Sequence, residues 1–316
     1  MAVLVGVDAL DALLKEDPVR RDAVYVVAAE HIPDAAWREC VALGAIDALS
    51  FAESEGWLVD RLTLGFGETN AGLTIRVIGS TGGCGASVTV AGLALASGDE
   101  GAVVLDTDLR SGWIDLLLGL EPDGLGWGEL SNLRGRVSGD ALTASIPTRD
   151  GISLISVNRD RPQDALPADA VRSAVLAASG LGSLVVVDDH AASGLRATTA
   201  QLSDITVLVT TSDLRGGLAA RRALETARGE PVADRARDTR PTHPVIVAAR
   251  TPRGAALPTA TFAELTDLAD DTFWLREVPS ISRRVSKGQV GLLSRERFVR
   301  DCGALLERCH DLAARR

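Results

Sequence analysis

The sequence predicts an α/β protein: a doubly wound, mostly parallel sheet with helices on both faces, preceded by a small α/β unit. Three observations predict it. From Leu73 onward short β-branched runs alternate with helical stretches, the rhythm of parallel strands joined by crossover helices. The composition is 46% hydrophobic but only 3% aromatic, so the core is made of small and branched aliphatic side chains, as in tight helix-on-sheet layers. Ile75–Ala96 (IRVIGSTGGCGASVTVAGLALA) places an apolar strand, a glycine-rich turn and a helix in direct succession. A length of 316 residues accommodates one large α/β domain and a small one.

Residues 1–66 have their own rhythm. Val3–Val7 and Val24–Ala28 are short β-branched runs separated by a helical stretch, Leu10–Lys15. A helix over Ala35–Leu43 leads into Gly44-Ala45-Ile46-Asp47-Ala48-Leu49, and a last helix is expected near Trp57–Leu62. This is too little for a complete doubly wound domain. Gly65–Gly72 (GFGETNAG) has linker composition, so the expected organisation is residues 1–66, a linker at 67–72, and a large domain over 73–316. In the large domain strands are expected near 73–79, 101–106, 152–156, 183–188, 205–210, 244–249 and 273–276. Helices are expected near 86–97, 112–118, 167–179, 215–228, 260–269 and 292–313. Segment 121–150 is glycine-rich with little periodicity and reads as an irregular surface excursion.

Charge and cysteine usage exclude several classes. A net charge of −10 and a pI near 5.0 argue against a nucleic-acid-coating surface and against DNA as a partner. The local basic groups (Arg221/Arg222, Arg235–Arg240, Arg283/Arg284/Lys287, Arg295–Arg300) read as solvated faces and loops. Cys40, Cys84, Cys302 and Cys309 lack metal-ligand spacing, and without a signal peptide a reduced cytoplasm is the expected compartment. No apolar run reaches the ~18 residues needed to span a bilayer. His190 follows an apolar run ending in Asp, but no G-x-S-x-G elbow exists to make it part of a hydrolase triad.

The turn after the first strand of the large domain has the layout of a phosphate cradle. Gly82, Gly83, Cys84, Gly85, Ala86, Ser87 and Val88 would present backbone N–H groups and a helix N-terminus to phosphate oxygens. Such a cradle normally carries a lysine, followed by a hydroxyl for Mg²⁺. Here Ala86 stands at the lysine position and Ser87 keeps the hydroxyl. The chain has only Lys15 and Lys287, neither near the turn. The layout points to ATP or ADP; the missing charge argues against fast hydrolysis and leaves at most a weak ATPase. In Val103–Gly119 (VVLDTDLRSGWIDLLLG), Asp106 and Asp108 fall at the carboxyl end of a strand, where open α/β sheets bind ligands. Leu184–Asp188 (LVVVD) repeats the pattern. Ser87, Asp106 and Asp188 are the candidate Mg²⁺ ligands, and Asp108 is the candidate water-positioning residue of residual hydrolysis. Asp at a strand end also caps turns, which is the competing structural role.

The same turn admits another reading. Gly79–Gly85 (GSTGGCG) resembles the T-G-G-x-G turn of short-chain dehydrogenase-type proteins, and Asp106 lies where a ribose-binding acid would sit. Those enzymes need a downstream Tyr-x-x-x-Lys, yet Tyr25 lies upstream and is the chain's single tyrosine. A non-catalytic dinucleotide binder is what survives of this alternative.

Three ordered segments, Gly79–Val88 (GSTGGCGASV), Val104–Gly119 (VLDTDLRSGWIDLLLG) and Leu184–Asp188, together resemble the MinD/ParA group of deviant Walker ATPases. More narrowly they look like its CpaE-like branch, which includes septum site-determining (Ssd) proteins and Tad/Flp pilus-assembly proteins. The resemblance continues through Leu208–Leu224 (LVTTSDLRGGLAARRAL) and Val278–Gln289 (VPSISRRVSKGQ), the latter similar to the family's proline-bearing loop near the nucleotide base. Val24–Leu62 looks like the back half of a receiver domain, which CpaE-like proteins carry in degenerate form, and Asp8 is a match for its phosphoacceptor without the surrounding acidic cluster. The resemblance implies a P-loop-type fold with a truncated receiver-like N-terminal domain. It also implies ATP/ADP and Mg²⁺ as ligands, cell-division or pilus/secretion proteins as partners through residues 1–66, and a homodimer. The family's second lysine, which reaches the partner's nucleotide, falls at Thr81, so the nucleotide-sandwich dimer loses its usual basis and a pseudo-ATPase scaffold is implied. MinD proteins touch membranes with a terminal amphipathic helix. Gly291–Arg316 places Phe298, Cys302, Leu305, Cys309 and Leu312 on one face, with Asp301, Glu307 and Asp311 diluting the basic residues around it. Packing on the sheet is the expected role of that face, and peripheral membrane contact the alternative.

Overall fold

A computed structural model describes residues 3–16, 18, 21, 24–45, 47–51, 72–109, 114–121, 124–132, 139–158, 165–190, 194–229, 245–251, 256–266 and 272–314. The chain divides into two compact units, Met1–Ala71 and Gly72–Arg316. The helix expected at Trp57–Leu62, the linker up to residue 71 and the basic run Arg235–Arg240 lie outside the described residues.

In the first unit β1 (Val3–Gly6), β2 (Val24–Ala28) and β3 (Asp47–Ser50) form a parallel sheet in that order. Helices α1 (Leu10–Lys15) and α2 (Trp37–Leu43) pack on it through Leu10, Cys40 and Leu43, against Val5, Val24 and Val26. Gly44 ends α2 with φ 76°, a left-handed conformation suited to glycine. A receiver-type sheet has strand order 2-1-3-4-5, so its last three strands are consecutive neighbours. The order β1-β2-β3 is what a back half of such a sheet gives. Asp8 lies exposed in the short turn of helix just after β1.

The second unit is an eight-stranded sheet of order β11-β10-β9-β4-β8-β5-β7-β6, parallel except for the β6/β7 pair. Its strands are β4 (Thr74–Gly79), β5 (Ala102–Asp106), β6 (Thr148–Arg149), β7 (Ile152–Ile155), β8 (Leu184–Asp189), β9 (Ile205–Thr211), β10 (Val245–Arg250) and β11 (Thr272–Leu275). Central strands are buried on both faces, which is why they read as unbroken β-branched runs rather than as an alternation. Val186 faces the layer built by α3 (Ala86–Ala96) and the last helix, while Val185 and Val187 face the layer containing Val171 and Val175. The intervening helices are α4 (Ile114–Leu118), α5 (Trp127–Leu130), α6 (Gly139–Thr143), α7 (Ala168–Ser179), α8 (Arg196–Leu202), α9 (Leu214–Gly229), α10 (Thr259–Thr266), α11 (Ile281–Val285) and α12 (Arg297–Ala314).

Two expectations are corrected. Segment 121–150 is not an irregular surface excursion: it contains α5, α6 and β6, and it buries Trp127, Leu130, Leu142 and Ile146. The stretch expected as one helix from 292 begins at Arg297, after Leu292 has been drawn into the core. Its apolar face (Phe298, Cys302, Leu305 and Cys309) is fully buried, and it packs against α3 and the sheet. Gly92 makes this approach close: a Cβ there would come within 2.6 Å of the Cys302 sulfur. The face weighed as a membrane anchor is therefore core. No helix among the described residues is long and apolar enough to cross a membrane.

The strand order also decides against the dinucleotide alternative. In the 3-2-1-4-5-6 order the first strand, carrying the glycine turn, lies beside the second, carrying the ribose acid. Here β8 lies between β4 and β5, so Asp106 is not on the strand adjacent to the turn.

Candidate functional site

β4 ends at Gly79, and the chain then turns over Ser80–Gly85 into α3. Ser80 is tied to the neighbouring strand: its N–H donates to the Val209 carbonyl (2.9 Å), and its hydroxyl donates to the Thr210 hydroxyl (2.8 Å). Gly83 and Gly85 have φ of 77° and 97°, which L side chains rarely adopt. A Cβ on Gly82 or Gly83 would meet nothing within 4 Å, so the turn is open on its outer side. Cys84 points inward and is buried; its sulfur lies where a Cβ on Gly79 would come within 2.8 Å. α3 starts at Ala86 with no side-chain cap, and the leading N–H groups of a helix have no intrahelical partner. The turn opens into a cavity of about 730 Å³, within the usual size of small-molecule sites.

All of Gly82–Val88 lines that cavity, with Asp108 and Asp188 opposite. Asp188 is almost fully buried near the end of β8, with the Ser87 hydroxyl beside it. Burial, with Asp108 and Asp189 nearby, pushes its carboxyl up to about 7 against the opposing effect of that hydroxyl. Its Oδ2 is buried with no hydrogen-bond partner. Asp106 is in register with Asp188 on the adjacent strand but sits behind the cavity wall, where its Oδ1 accepts from the Asp108 N–H (3.2 Å). The four carboxylate and hydroxyl candidates are thus brought to one place, with Asp108, Asp188 and Ser87 in front and Asp106 supporting the loop. Thr107 locks the two strand ends together, its N–H and hydroxyl both donating to the Asp188 carbonyl (3.0 and 2.7 Å).

This geometry fits a nucleotide with Mg²⁺. An open glycine cradle suits phosphates, and an orphaned buried carboxylate oxygen beside a hydroxyl suits a hard cation. Among the described residues no cluster of three or more His, Cys, Asp or Glu forms a self-sufficient metal cage. Mg²⁺ takes one or two carboxylates and completes its shell with phosphate oxygens and water. Thr81 and Ala86 bring no charge to the cradle.

Three features escaped the sequence reading. Trp127 is fully buried, and its indole N–H donates to the Asp106 carbonyl (2.6 Å), fixing the end of β5. Arg76, buried within β4, pairs with Asp189 (Nε to Oδ2, 2.8 Å), which also accepts from Thr199 (2.7 Å). Arg250, at the end of β10, reaches the glycine turn and donates from Nη1 to the Cys84 carbonyl (2.9 Å). The available signals were a charge inside an apolar strand for Arg76 and a charge at a strand end for Arg250. Trp127, in a glycine-rich segment, offered none.

Comparison with known proteins agrees with both units. Residues 1–71 match the family described as the Rv3660c-like, CheY-like N-terminal domain. The uncharacterized proteins Rv3660c and MT3760, from two strains of Mycobacterium tuberculosis, are each 36% identical over 209 residues, 64% of this chain. The chain spans 58% of the length of those relatives. Among solved structures, a ParA family ATPase from Chlorobium tepidum superposes with a TM-score of 0.60 at 14% identity, over 74% of this chain and 97% of that one. A chain of the Aquifex aeolicus MinC:MinD cell division protein complex gives 0.57 at 14%, over 75% and 96%. An ATP complex of McdA from Cyanothece gives 0.55 at 15%, over 78% and 97%. The chain thus combines an N-terminal unit similar to the Rv3660c-like, CheY-like N-terminal domain with a larger unit that has the fold of MinD/ParA proteins.

Proposed function

We propose that this chain is a nucleotide-sensing switch or pseudo-ATPase scaffold that helps place or regulate a cell-envelope machine, either the division septum or a Tad/Flp-type pilus. The observation that carries the nucleotide part is the pairing of an open glycine cradle with the Ser87–Asp188 contact and the orphaned Asp188 oxygen facing it. In this reading Gly82–Val88 hold the phosphates through backbone N–H groups, and Ser87 and Asp188 hold Mg²⁺. When bound, Mg²⁺ neutralises phosphate charge. Asp108 is the residue positioned to orient water. Lacking a preorganised cation in the turn costs on the order of 10²–10³ in rate, so binding rather than turnover is the working property. Support for the cellular part comes from the CpaE-like resemblance and from a MinC:MinD cell division complex among the structural neighbours. Exposed Leu4, Val41 and Phe51 on the first unit suit partner docking by that unit.

Isothermal titration with ATP and ADP, with and without Mg²⁺, tests the reading. Mg²⁺-dependent binding at micromolar to sub-millimolar affinity supports it; no binding up to millimolar nucleotide leaves a docking scaffold instead. Ala86→Lys is expected to raise ATP turnover on the order of 10–100-fold if the remaining site is intact, measured by phosphate release. An unchanged rate would mean that more than the lysine has been lost.

A further inference from the structure

The cradle contains no lysine, yet a cation sits on it from another strand. Arg250 is the last residue of β10, held in register with Thr211 of β9 and Leu275 of β11. Its side chain is four-fifths buried and crosses to the glycine turn. A Cβ on Gly85 would come within 2.0 Å of Nη1 and within 2.9 Å of Cδ and Cζ, so the guanidinium occupies the space that glycine leaves. Nη1 is anchored on the Cys84 carbonyl. Nη2 lies 3.8 Å from Glu277 Oε1, near enough for attraction but beyond hydrogen-bond reach. A planar guanidinium carries five N–H donors and never loses its charge, and its fork matches a phosphate with two parallel bonds. Among the described residues the cavity wall holds one further arginine, Arg276, but its Nη2 is engaged by Asp301 Oδ1 (3.1 Å) at the exposed rim. Among those residues Arg250 is therefore the cation that touches the turn itself.

We propose that Arg250 supplies the positive charge of the phosphate cradle, delivered from β10 instead of from the turn, and makes the site selective for nucleoside di- and triphosphates over nucleosides. This rests on the nucleotide reading above. Cys84 and Gly85 position the guanidinium, and Glu277 competes with phosphate for Nη2. The proposal accounts for a cradle that keeps its glycines and hydroxyl while Thr81 and Ala86 bring no charge to it.

The test is titration of the full chain with Mg²⁺–ADP and, separately, with adenosine, each variant first checked for an intact thermal transition. Arg250→Ala is expected to weaken ADP binding on the order of 10–100-fold and leave adenosine affinity unchanged. Arg250→Lys should keep part of the affinity. Glu277→Gln, which removes the competing carboxylate without touching the cradle, should tighten ADP about two- to fivefold. Adding Ala86→Lys to the Arg250→Ala chain should restore binding by returning the charge to the turn. ADP binding to Arg250→Ala as tight as to the unaltered chain would overturn the proposal while leaving the nucleotide reading standing. Tighter binding would mean that Arg250 plugs the site, and would overturn it equally. If the unaltered chain and all four variants bind neither ADP nor ATP, the nucleotide reading fails, and the role of Arg250 fails with it.

Discussion

Burial, with Asp108 and Asp189 close by, pushes the Asp188 carboxyl up to about 7 against the opposing effect of the Ser87 hydroxyl; in an unfolded chain it would titrate near 3.9. Between those values the folded chain keeps a proton that the unfolded chain has released. The resulting stability is fully present below about pH 4 and is lost as pH rises through 7. Asp188→Asn is expected to remove this part of the pH dependence and to raise stability more at pH 8 than at pH 5, while ending Mg²⁺-dependent nucleotide binding. Melting both chains at pH 5 and pH 8 checks it: an equal gain at both pH values would locate the effect elsewhere. Arg76 presents the opposite case, a buried charge that is matched. Arg76→Met leaves Asp189 buried with its Thr199 bond but without the guanidinium, and should cost about 3–5 kcal/mol by urea unfolding. Thr-Ile-Arg-Val-Ile-Gly shows that a charge interrupts the strand, but its partner stands 113 residues away and belongs to a segment that reads as a Walker B strand on its own. Pairings of that kind are set by strand order, which local sequence does not encode.

At the scale of elements, legibility followed burial. Strands β4, β5, β8, β9 and β10 are covered on both faces, so each reads as an apolar run bounded by polar or glycine residues, and the expected bounds fall within one residue of those observed. The glycine turn was equally legible, because φ values of 77° and 97° require glycine at Gly83 and Gly85. Helix α5 was not: four residues are too short to show a 3.6-residue period, and glycines stand just before it (Gly126) and within it (Gly128). What holds it is not propensity but contacts. The Gly126 N–H donates to the Glu129 carboxylate (3.1 Å), and the Trp127 indole N–H reaches the Asp106 carbonyl. Through that bond α5 props the strand end that aligns Asp106 with Asp188. Trp127→Phe keeps most of the volume and removes the donor; it should cost about 1–3 kcal/mol, and Trp127→Ala about 3–5 kcal/mol. If Trp127→Phe also weakens Mg²⁺-dependent binding, α5 positions the site; if binding is unchanged, its role ends at stability.

At the scale of the whole molecule, the two compact units differ in what a ligand can do to them. The described residues that line the cavity belong to Gly72–Arg316. A ligand that binds only the folded state stabilises what it binds by RT ln(1 + [L]/Kd), about 2.7 kcal/mol at one hundred times Kd. For a unit of this size that corresponds to a rise of roughly 5–10 °C in melting temperature. Two units with separate cores need not unfold together, so calorimetry is expected to resolve two transitions. Mg²⁺–ADP should move the transition of the larger unit, whose residues Gly82–Val88 and Asp188 line the cavity. A scan in which both transitions move by the same amount would show that binding at the cradle is felt by the CheY-like unit. That is the coupling a switch needs in order to pass nucleotide state to a partner docked on residues 1–66. A scan in which one moves would make the N-terminal unit a constant docking module, with regulation confined to the MinD/ParA-type domain.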